Sequence, residues 1–178
     1  MLKNKVVIIT GASSGIGRAA AQAFAESGCS VVVAARRVEK LIELEKTLNC
    51  PTLSVECDVT KESDCENLIQ KTLERFGRID ILVNNAGISM RALFKDLDLS
   101  VIKQLMDVNF WGTVYCTKYA LPHILKTNGS VVGVISIAGY KGLPARTGYS
   151  ASKFAVYGFI DTLRIEHLKD NIHFMIFA

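Results

Sequence analysis

The sequence lacks the features of small disulfide-stabilised, zinc-binding and membrane-spanning proteins. Its 178 residues include five cysteines, an odd number with no C-x-x-C spacing, which argues against a zinc site or a disulfide framework. No apolar run approaches the length of a membrane span, and too few residues precede the first apolar segment for a signal peptide. These absences predict a cytoplasmic protein with reduced thiols.

Blocks of like charge are also missing. The net charge is +4, and the basic residues are scattered without an acidic counter-block, so we expect neither nucleic acid nor a membrane surface as a partner. Apolar residues make up 49% of the chain, which suits a globular protein of this length. A chain of this size can bury about 70% of its unfolded surface, and we expect a single domain over residues 1–178.

Apolar segments with strand and helix patterns alternate along the chain. Predicted strands cover residues 6–10, 30–35, 53–57, 79–83, 129–135 and 172–177. The first predicted helix follows the first strand, the second covers 38–48, and the third runs from a cap at Thr60 to Gly77. The fourth extends from Asp98 or Ser100 to about 126, and Pro122 and Gly129 mark its end. The fifth covers about 149–168. This order predicts an α/β fold of the Rossmann type, a doubly wound parallel sheet within a three-layer α/β/α sandwich.

A glycine-rich turn joins the first strand to the first helix in residues 5–17, KVVIITGASSGIG. Gly11 allows a sharp turn, Gly15 leaves room for a pyrophosphate, and Gly17 allows the helix to pack close to the sheet. The helix N-terminus then faces the anion. The alternative is an ordinary tight βα turn. The predicted cofactor contacts of this turn are Gly11, Ser13, Ser14, Gly15, Ile16 and Gly17.

Two arginines follow the second strand, where NAD-binding units usually carry a carboxylate for the ribose 2′-hydroxyl. Arg36 and Arg37 instead offer guanidinium donors that match a phosphate. We therefore predict NADP(H) in preference to NAD(H), with Arg36 as the main ligand and a hydroxyl from Ser13 or Ser14 in support. The alternative is that Arg36 is a solvated residue at a helix start.

The next two strand ends also carry candidate cofactor residues. Asp58 can accept a hydrogen bond from the adenine amino group while Val59 packs on the ring, or Asp58 can simply cap the next helix. After the fourth strand, the small residues of 84–87, NNAG, allow close passage of a cofactor, or the segment braces the sheet. The predicted contacts there are Asn85, Ala86 and Gly87.

Three residues form the sharpest catalytic pattern. Ser136 ends the fifth strand, and Tyr149 and Lys153 have the i, i+4 spacing that places them on one helix face. A neighbouring ammonium favours the phenolate form of a tyrosine, which then exchanges protons at neutral pH. Ser136 can hydrogen-bond a substrate oxygen.

These motifs together resemble the short-chain dehydrogenase/reductase family: TGASSGIG at 10–17, NNAG at 84–87, Asn109 in VNFWGT, Ser136 and Tyr149-x-x-x-Lys153. The resemblance implies that Tyr149 is the general acid/base and also contacts the cofactor, that Lys153 holds the nicotinamide ribose, and that Asn109 anchors a water in a proton relay. It implies hydride transfer between NADP(H) and a carbonyl or secondary alcohol. It also implies a dimer or tetramer that pairs helices near 100–126 and 150–168.

The sequence departs from the family pattern at its end. Family members continue past the sixth strand with a substrate-covering loop and a seventh strand, so we expect a chain truncated at the C-terminus, with 172–177 at an unpaired sheet edge. An incomplete member that binds NADP(H) without efficient turnover is the alternative function, and a methyltransferase is a more distant one. The residues expected around the remaining substrate pocket are Ile88, Ser89, Met90, Ala138, Tyr140, Leu143 and Arg146.

Overall fold

Six parallel strands form one sheet in the order β3-β2-β1-β4-β5-β6 in the computed structural model, which describes residues 2–178. The strands are β1 Val6–Thr10, β2 Ser30–Ala35, β3 Thr52–Glu56, β4 Ile81–Asn84, β5 Ser130–Val134 and β6 His173–Phe177. The helices are α1 Gly15–Glu26, α2 Val38–Glu45, α3 Glu62–Phe76, α4 Leu99–Leu105, α5 Gly112–Thr127 and α6 Thr147–Glu166. The predicted doubly wound α/β fold is confirmed.

Helices cover both faces of the sheet. Alternate residues of β1 enter different cores: Ile8 packs with residues of α3, α5 and α6, whereas Ile9 packs with residues of α1 and α2. Both residues are fully buried, as expected for a parallel sheet that is covered on its two faces. This arrangement places the carboxyl ends of β1, β4 and β5 next to one another at one edge of the fold.

Strand β6 lies at the edge of the sheet, as the sequence predicted. It pairs with β5 over the register Ser130–His173 to Val134–Phe177, and no strand among residues 2–178 pairs with its other side. Met175 and Phe177 remain exposed on it. Across this same span, no helix combines the length and the apolar character needed to cross a membrane.

Two local predictions about helix ends are wrong. Helix α3 begins after Lys61 without a side-chain cap, because Thr60 turns back to bind Asp58. Pro122 lies inside α5 and does not end it. A proline removes one backbone donor, and the packed helix continues to Thr127 despite that loss.

Two other helix ends agree with the sequence. Gly77, with φ of +70°, ends α3, and the side chain of Asp98 accepts a hydrogen bond from the backbone N–H of Ser100 at 2.7 Å to cap α4. The long helical region predicted after Asp98 is confirmed and runs from Leu99 to Thr127. Within it, a π-helical segment, Met106–Trp111, lies between α4 and α5.

Candidate active site

The glycine turn after β1 has the backbone that only glycine adopts easily. Gly11 has φ of +67°, and a Cβ there would lie 2.7 Å from the Cα of Ala86. A Cβ on Gly17 would lie 2.6 Å from the carbonyl oxygen of Gly11. Gly15, with φ of +57°, differs because a Cβ would meet no atom within 4 Å. Gly11 and Gly17 therefore allow close packing, whereas Gly15 borders open space at the start of α1.

Asn85 joins the end of β4 to this turn. Its Nδ2 donates to the carbonyl oxygen of Thr10 at 2.8 Å and to that of Gly11 at 3.3 Å. The Oγ1 of Thr10 in turn accepts from the backbone N–H groups of Asn85 and Ala86, both at 3.0 Å. The bracing role that we considered for this segment is thus present, and its role in cofactor binding stays a prediction.

A cavity of about 470 Å³ opens over these strand ends. It is lined by twelve of the predicted cofactor residues, namely Gly11, Ser13, Ser14, Gly15, Ile16, Arg36, Arg37, Asp58, Val59, Asn85, Ala86 and Gly87. Gly17 is buried behind the turn, and Tyr149 and Lys153 do not line the cavity. Ala35, Cys57, Ile88 and Val108 complete the lining.

Arg37 has a more direct contact with the glycine turn than the sequence indicated. Its Nη2 donates to Ser13 Oγ at 2.8 Å and to Ser14 Oγ at 3.1 Å. Arg36 is exposed and lines the same cavity. The Arg37 guanidinium and two hydroxyls therefore lie together in the lining of the cavity, to which Arg36 also contributes, and this is a donor set that suits a phosphate.

Asp58 lines the cavity and does not cap α3. Its Oδ1 accepts from the hydroxyl of Thr60 at 2.9 Å and from the Thr60 backbone N–H at 3.1 Å.

Cys57, the residue before Asp58, is buried, and a hydrogen bond to Cys65 together with burial raises the pKa of its thiol. Cys57 is therefore a poor nucleophile, and its part in the lining is steric.

Lys153 lies about one turn after Tyr149 near the start of α6. The Lys153 residue is only 5% exposed, and its Nζ donates to the carbonyl oxygen of Val134 at 2.8 Å. The same Nζ is 5.9 Å from the centre of the Tyr149 ring and 3.5 Å from where a Cβ on Gly87 would stand. Burial lowers the pKa of the Lys153 ammonium from 10.5 to about 8.

Asn109 lies in the π-helical segment and connects two parts of the site. Its Oδ1 accepts from the backbone N–H of Ile88 at 2.8 Å, and its Nδ2 donates to the carbonyl oxygen of Ile88 at 3.0 Å. Nδ2 also donates to Ser152 Oγ at 2.9 Å, and the Ser152 hydroxyl donates to the carbonyl oxygen of Tyr149 at 2.8 Å. Asn109 thus ties the loop after β4 to the start of α6.

Ser136 follows β5 and begins the short 3₁₀ helix Ile137–Gly139. Its Oγ accepts from the backbone N–H of Ala138 at 3.2 Å, and the residue is half-buried. Its hydroxyl proton remains available as a donor, since the recorded bond uses the oxygen only as an acceptor.

The sequence profile of the short chain dehydrogenase family matches residues 5–178. The chain belongs to the short-chain dehydrogenase family. Its relatives include 11-beta-hydroxysteroid dehydrogenase-like 4A of Arabidopsis thaliana, which is 43% identical over 170 residues, covering 93% of this chain and 57% of that protein. The 11-beta-hydroxysteroid dehydrogenase 1A of the same plant is 41% identical over 180 residues, covering 98% of this chain and 51% of that protein. The chain thus spans about half the length of these curated relatives.

Solved structures of a short-chain dehydrogenase/reductase and of an alcohol dehydrogenase have the same fold. A family member from Burkholderia phymatum in complex with NAD superposes with a TM-score of 0.95 at 28% identity, covering 98% of this chain and 65% of that one. An alcohol dehydrogenase from the archaeon Thermococcus sibiricus, complexed with 5-hydroxy-NADP, gives a TM-score of 0.92 at 30% identity, covering 98% of this chain and 76% of that one.

Three residues that line the cavity were missing from the predicted set. Ala35 and Cys57 directly precede predicted residues at the ends of β2 and β3, so their positions carried a usable signal. Val108 comes from the π-helical segment, and no local pattern brings it to the cavity.

Proposed function

We propose that this chain forms the cofactor-binding and proton-transfer site of an NADP(H)-dependent oxidoreductase that acts on a carbonyl or secondary alcohol. The observation that carries the proposal is the position of Lys153. Its buried ammonium lies beside both the Tyr149 ring and Gly87, and Gly87 lines the cavity over the glycine turn. This position connects a nucleotide-sized cavity to a tyrosine that can exchange a proton.

The residues of the cavity fit a dinucleotide. The open space at Gly15 and the N-terminus of α1 suit a pyrophosphate, and Asp58 with Val59 suits an adenine. When bound, a nicotinamide cofactor donates or accepts the hydride. The neighbouring structures from Burkholderia phymatum and Thermococcus sibiricus are complexes with NAD and 5-hydroxy-NADP, which supports a nicotinamide cofactor here.

Proton transfer would then belong to residues of α6 and its surroundings. Tyr149 gives a proton to the substrate oxygen in reduction and takes it back in oxidation, and the charge on Lys153 favours the phenolate. The hydroxyl of Ser136 donates a hydrogen bond to the same substrate oxygen. Asn109 anchors the water of a proton relay and keeps the backbone at Tyr149 in place through Ser152.

The preference for NADP(H) over NAD(H) rests on the arginines after β2. Arg36 is the main proposed ligand of the 2′-phosphate. Arg37 already donates to Ser13 and Ser14 and adds a second cation to the lining of the same cavity. No carboxylate is available from these two positions to hold a ribose 2′-hydroxyl.

An apolar alcohol or ketone is the proposed substrate class. The relatives are named as 11-beta-hydroxysteroid dehydrogenases, which makes ketosteroids the first compounds to test. Ile137 and Tyr140 are exposed next to Ser136, so apolar surface is available near the proposed reaction centre.

Assembly and location are proposed on separate grounds. The aromatic side chains of Trp111 and Phe154 are each 44% exposed on or beside the helices expected to pair, which supports a homo-oligomer through regions 100–126 and 150–168. Sedimentation at several protein concentrations tests this, and a monomer at all of them would contradict it.

The proposed location is a reducing compartment such as the cytoplasm, which the five free cysteines support.

The test is an NADPH oxidation assay over a panel of ketones, ketosteroids included, with Tyr149→Phe as the matched control. We expect turnover by the parent protein and a loss of at least about a hundredfold in the variant, with unchanged NADPH affinity. NADPH binding without turnover of any ketone would instead support the alternative of a binding-only family member.

A further inference from the structure

The loop that follows β4, which we call the 88–92 loop, is held beyond Ile88 by an arginine from another part of the chain. Nη1 of Arg146 donates to Ser89 Oγ and also, at 2.7 Å, to the carbonyl oxygen of Met90. A single guanidinium nitrogen therefore fixes two consecutive residues of the loop, and it does so by a charge-assisted bond to a backbone carbonyl.

The residue before Arg146 attaches the far end of the same loop. The backbone N–H of Ala92 donates to the carbonyl oxygen of Ala145 at 3.1 Å. Ala145 has φ of +59°, a conformation that L-residues other than asparagine and aspartate rarely adopt. Such a backbone persists when its surroundings hold it, and the contact with Ala92 is one of these constraints.

Arg146 also lies against the proposed general acid/base. Its Cζ is 5.9 Å from the centre of the Tyr149 ring, and its carbonyl oxygen accepts the backbone N–H of Ser150 at 2.7 Å at the start of α6. The guanidinium thus contacts the 88–92 loop and the Tyr149 ring at the same time.

We infer that Arg146 is a positioning residue that sets the substrate-binding position of the 88–92 loop relative to Tyr149. The inference rests on the proposed function, since it concerns how a substrate reaches the hydroxyl of Tyr149. Without Arg146, Ser89 and Met90 lose their anchor, the loop opens more often, and the bound substrate is held less tightly. Asn109 still holds Ile88 and the backbone of α6, so the reaction centre itself stays formed.

The test compares Arg146→Gln, Arg146→Lys and Ser89→Ala with the parent. Lys141→Gln is the matched control, because Lys141 is an exposed cation on the same segment between β5 and α6, and its side chain makes no hydrogen bond or ion pair with any of residues 2–178. Two readouts are needed. Steady-state kinetics with NADPH and a ketone give KM and kcat, and limited trypsin digestion reports cleavage after Arg91 and Lys95, in and beside the loop, without requiring activity.

We expect Arg146→Gln to raise the KM for the ketone at least tenfold, to change kcat less than about threefold, and to leave NADPH affinity unchanged. Cleavage after Arg91 and Lys95 becomes at least about fivefold faster. Ser89→Ala and Arg146→Lys give smaller increases of the same kind, because each keeps part of the attachment. Lys141→Gln matches the parent in both assays.

Unchanged KM and unchanged cleavage in Arg146→Gln would overturn the inference, as would a general acceleration of cleavage at all sites, which would report a destabilised fold. If Arg146→Gln does not fold, Ser89→Ala decides in its place, because Ser89 is an exposed residue. A parent without turnover but with loop cleavage that depends on Arg146 would refute the proposed reaction and keep the loop anchor.

Discussion

Lys153 shows how one residue can serve the site at a cost to the fold. Its ammonium is almost fully buried, with the carbonyl oxygen of Val134 as its recorded hydrogen-bond partner, and the nearby Tyr149 ring offers no countercharge. Burial therefore lowers the pKa of Lys153 to about 8. In the unfolded chain the same group keeps its ordinary value of 10.5, so the two states differ in bound protons at alkaline pH.

Replacing Lys153 with methionine reveals this difference. Between about pH 8 and about pH 10 the unfolded parent binds a proton that the folded parent lacks, so the free energy of unfolding of the parent rises with pH relative to Lys153→Met. The shift in pKa corresponds to about 3 kcal/mol, at 1.36 kcal/mol per pH unit. Below about pH 8 the difference between the two proteins is constant. Urea unfolding of both proteins from about pH 7 to about pH 10 measures this difference in the free energy of unfolding. A difference that stays the same at every pH would contradict the burial of the Lys153 charge.

Arg36 carries a second prediction at the same scale. Arg36→Ala should raise the KM for NADPH at least about tenfold and leave the KM for NADH within about twofold, because only the 2′-phosphate needs the lost guanidinium. Arg37→Ala is the variant to compare, because Arg37 also holds the side chains of Ser13 and Ser14. We expect the loss of Arg37 to weaken the binding of both NADPH and NADH. Equal effects of Arg36→Ala on NADPH and NADH would remove the basis for the NADP(H) preference.

The first and fourth strands are joined at their amino ends by a buried carboxylate. Asp80 is 1% exposed and accepts from Arg78 at 2.7 and 2.8 Å, from the backbone N–H of Val6 at 2.9 Å, and from Lys5 at 3.0 Å. Burial alone would raise the pKa of the Asp80 carboxyl, but these donors outweigh it and hold that pKa below its usual value. This cluster sets the register from which β1 and β4 reach the site at their other ends.

Asp80→Asn should lower the free energy of unfolding by about 3 kcal/mol at neutral pH, because two cations lose their partner and the N–H of Val6 loses a charged acceptor. A carboxyl whose pKa is lower in the folded state stabilises fully above its unfolded pKa of about 3.9, and this contribution is lost as the pH falls through the folded value. The gap between parent and variant in urea unfolding should therefore narrow in acid. A gap that does not depend on pH would contradict the role of the charge.

Elements with a strong local pattern could be predicted from the sequence. The strands and the glycine turn follow from runs of apolar residues and from glycines, and the strand ends then bring twelve of the predicted cofactor residues to one cavity. The π-helical segment could not be predicted, because no local pattern marks its extra residue per turn, and the contacts of its Asn109 with Ile88 and Ser152 join residues that are distant in sequence. The sequence also could not show that Arg37, and not Arg36, contacts Ser13, because the two arginines are adjacent and follow the same strand.

The whole molecule presents its polar site residues at one edge of a twice-covered sheet. Helices α1 and α2 contribute to one core and α3, α5 and α6 to the other, and the cavity opens where β1, β2, β3 and β4 end. The proposed cofactor residues come from the first four strand ends, whereas the proposed catalytic residues Ser136, Tyr149 and Lys153 come after β5 and from α6. The proposed reaction requires these two groups to act on the same bound molecules, so the central claim is best tested on the transfer itself.

The most direct measurement is the fate of the label from NADPH carrying deuterium at the transferring position of the nicotinamide. The protein is incubated with labelled cofactor and a ketone that it turns over, and the alcohol product is analysed by mass spectrometry, with Tyr149→Phe in parallel. We predict one deuterium at the carbinol carbon with the parent protein and almost no labelled alcohol with the variant. Product without deuterium, or equal labelled product from Tyr149→Phe, would contradict the account.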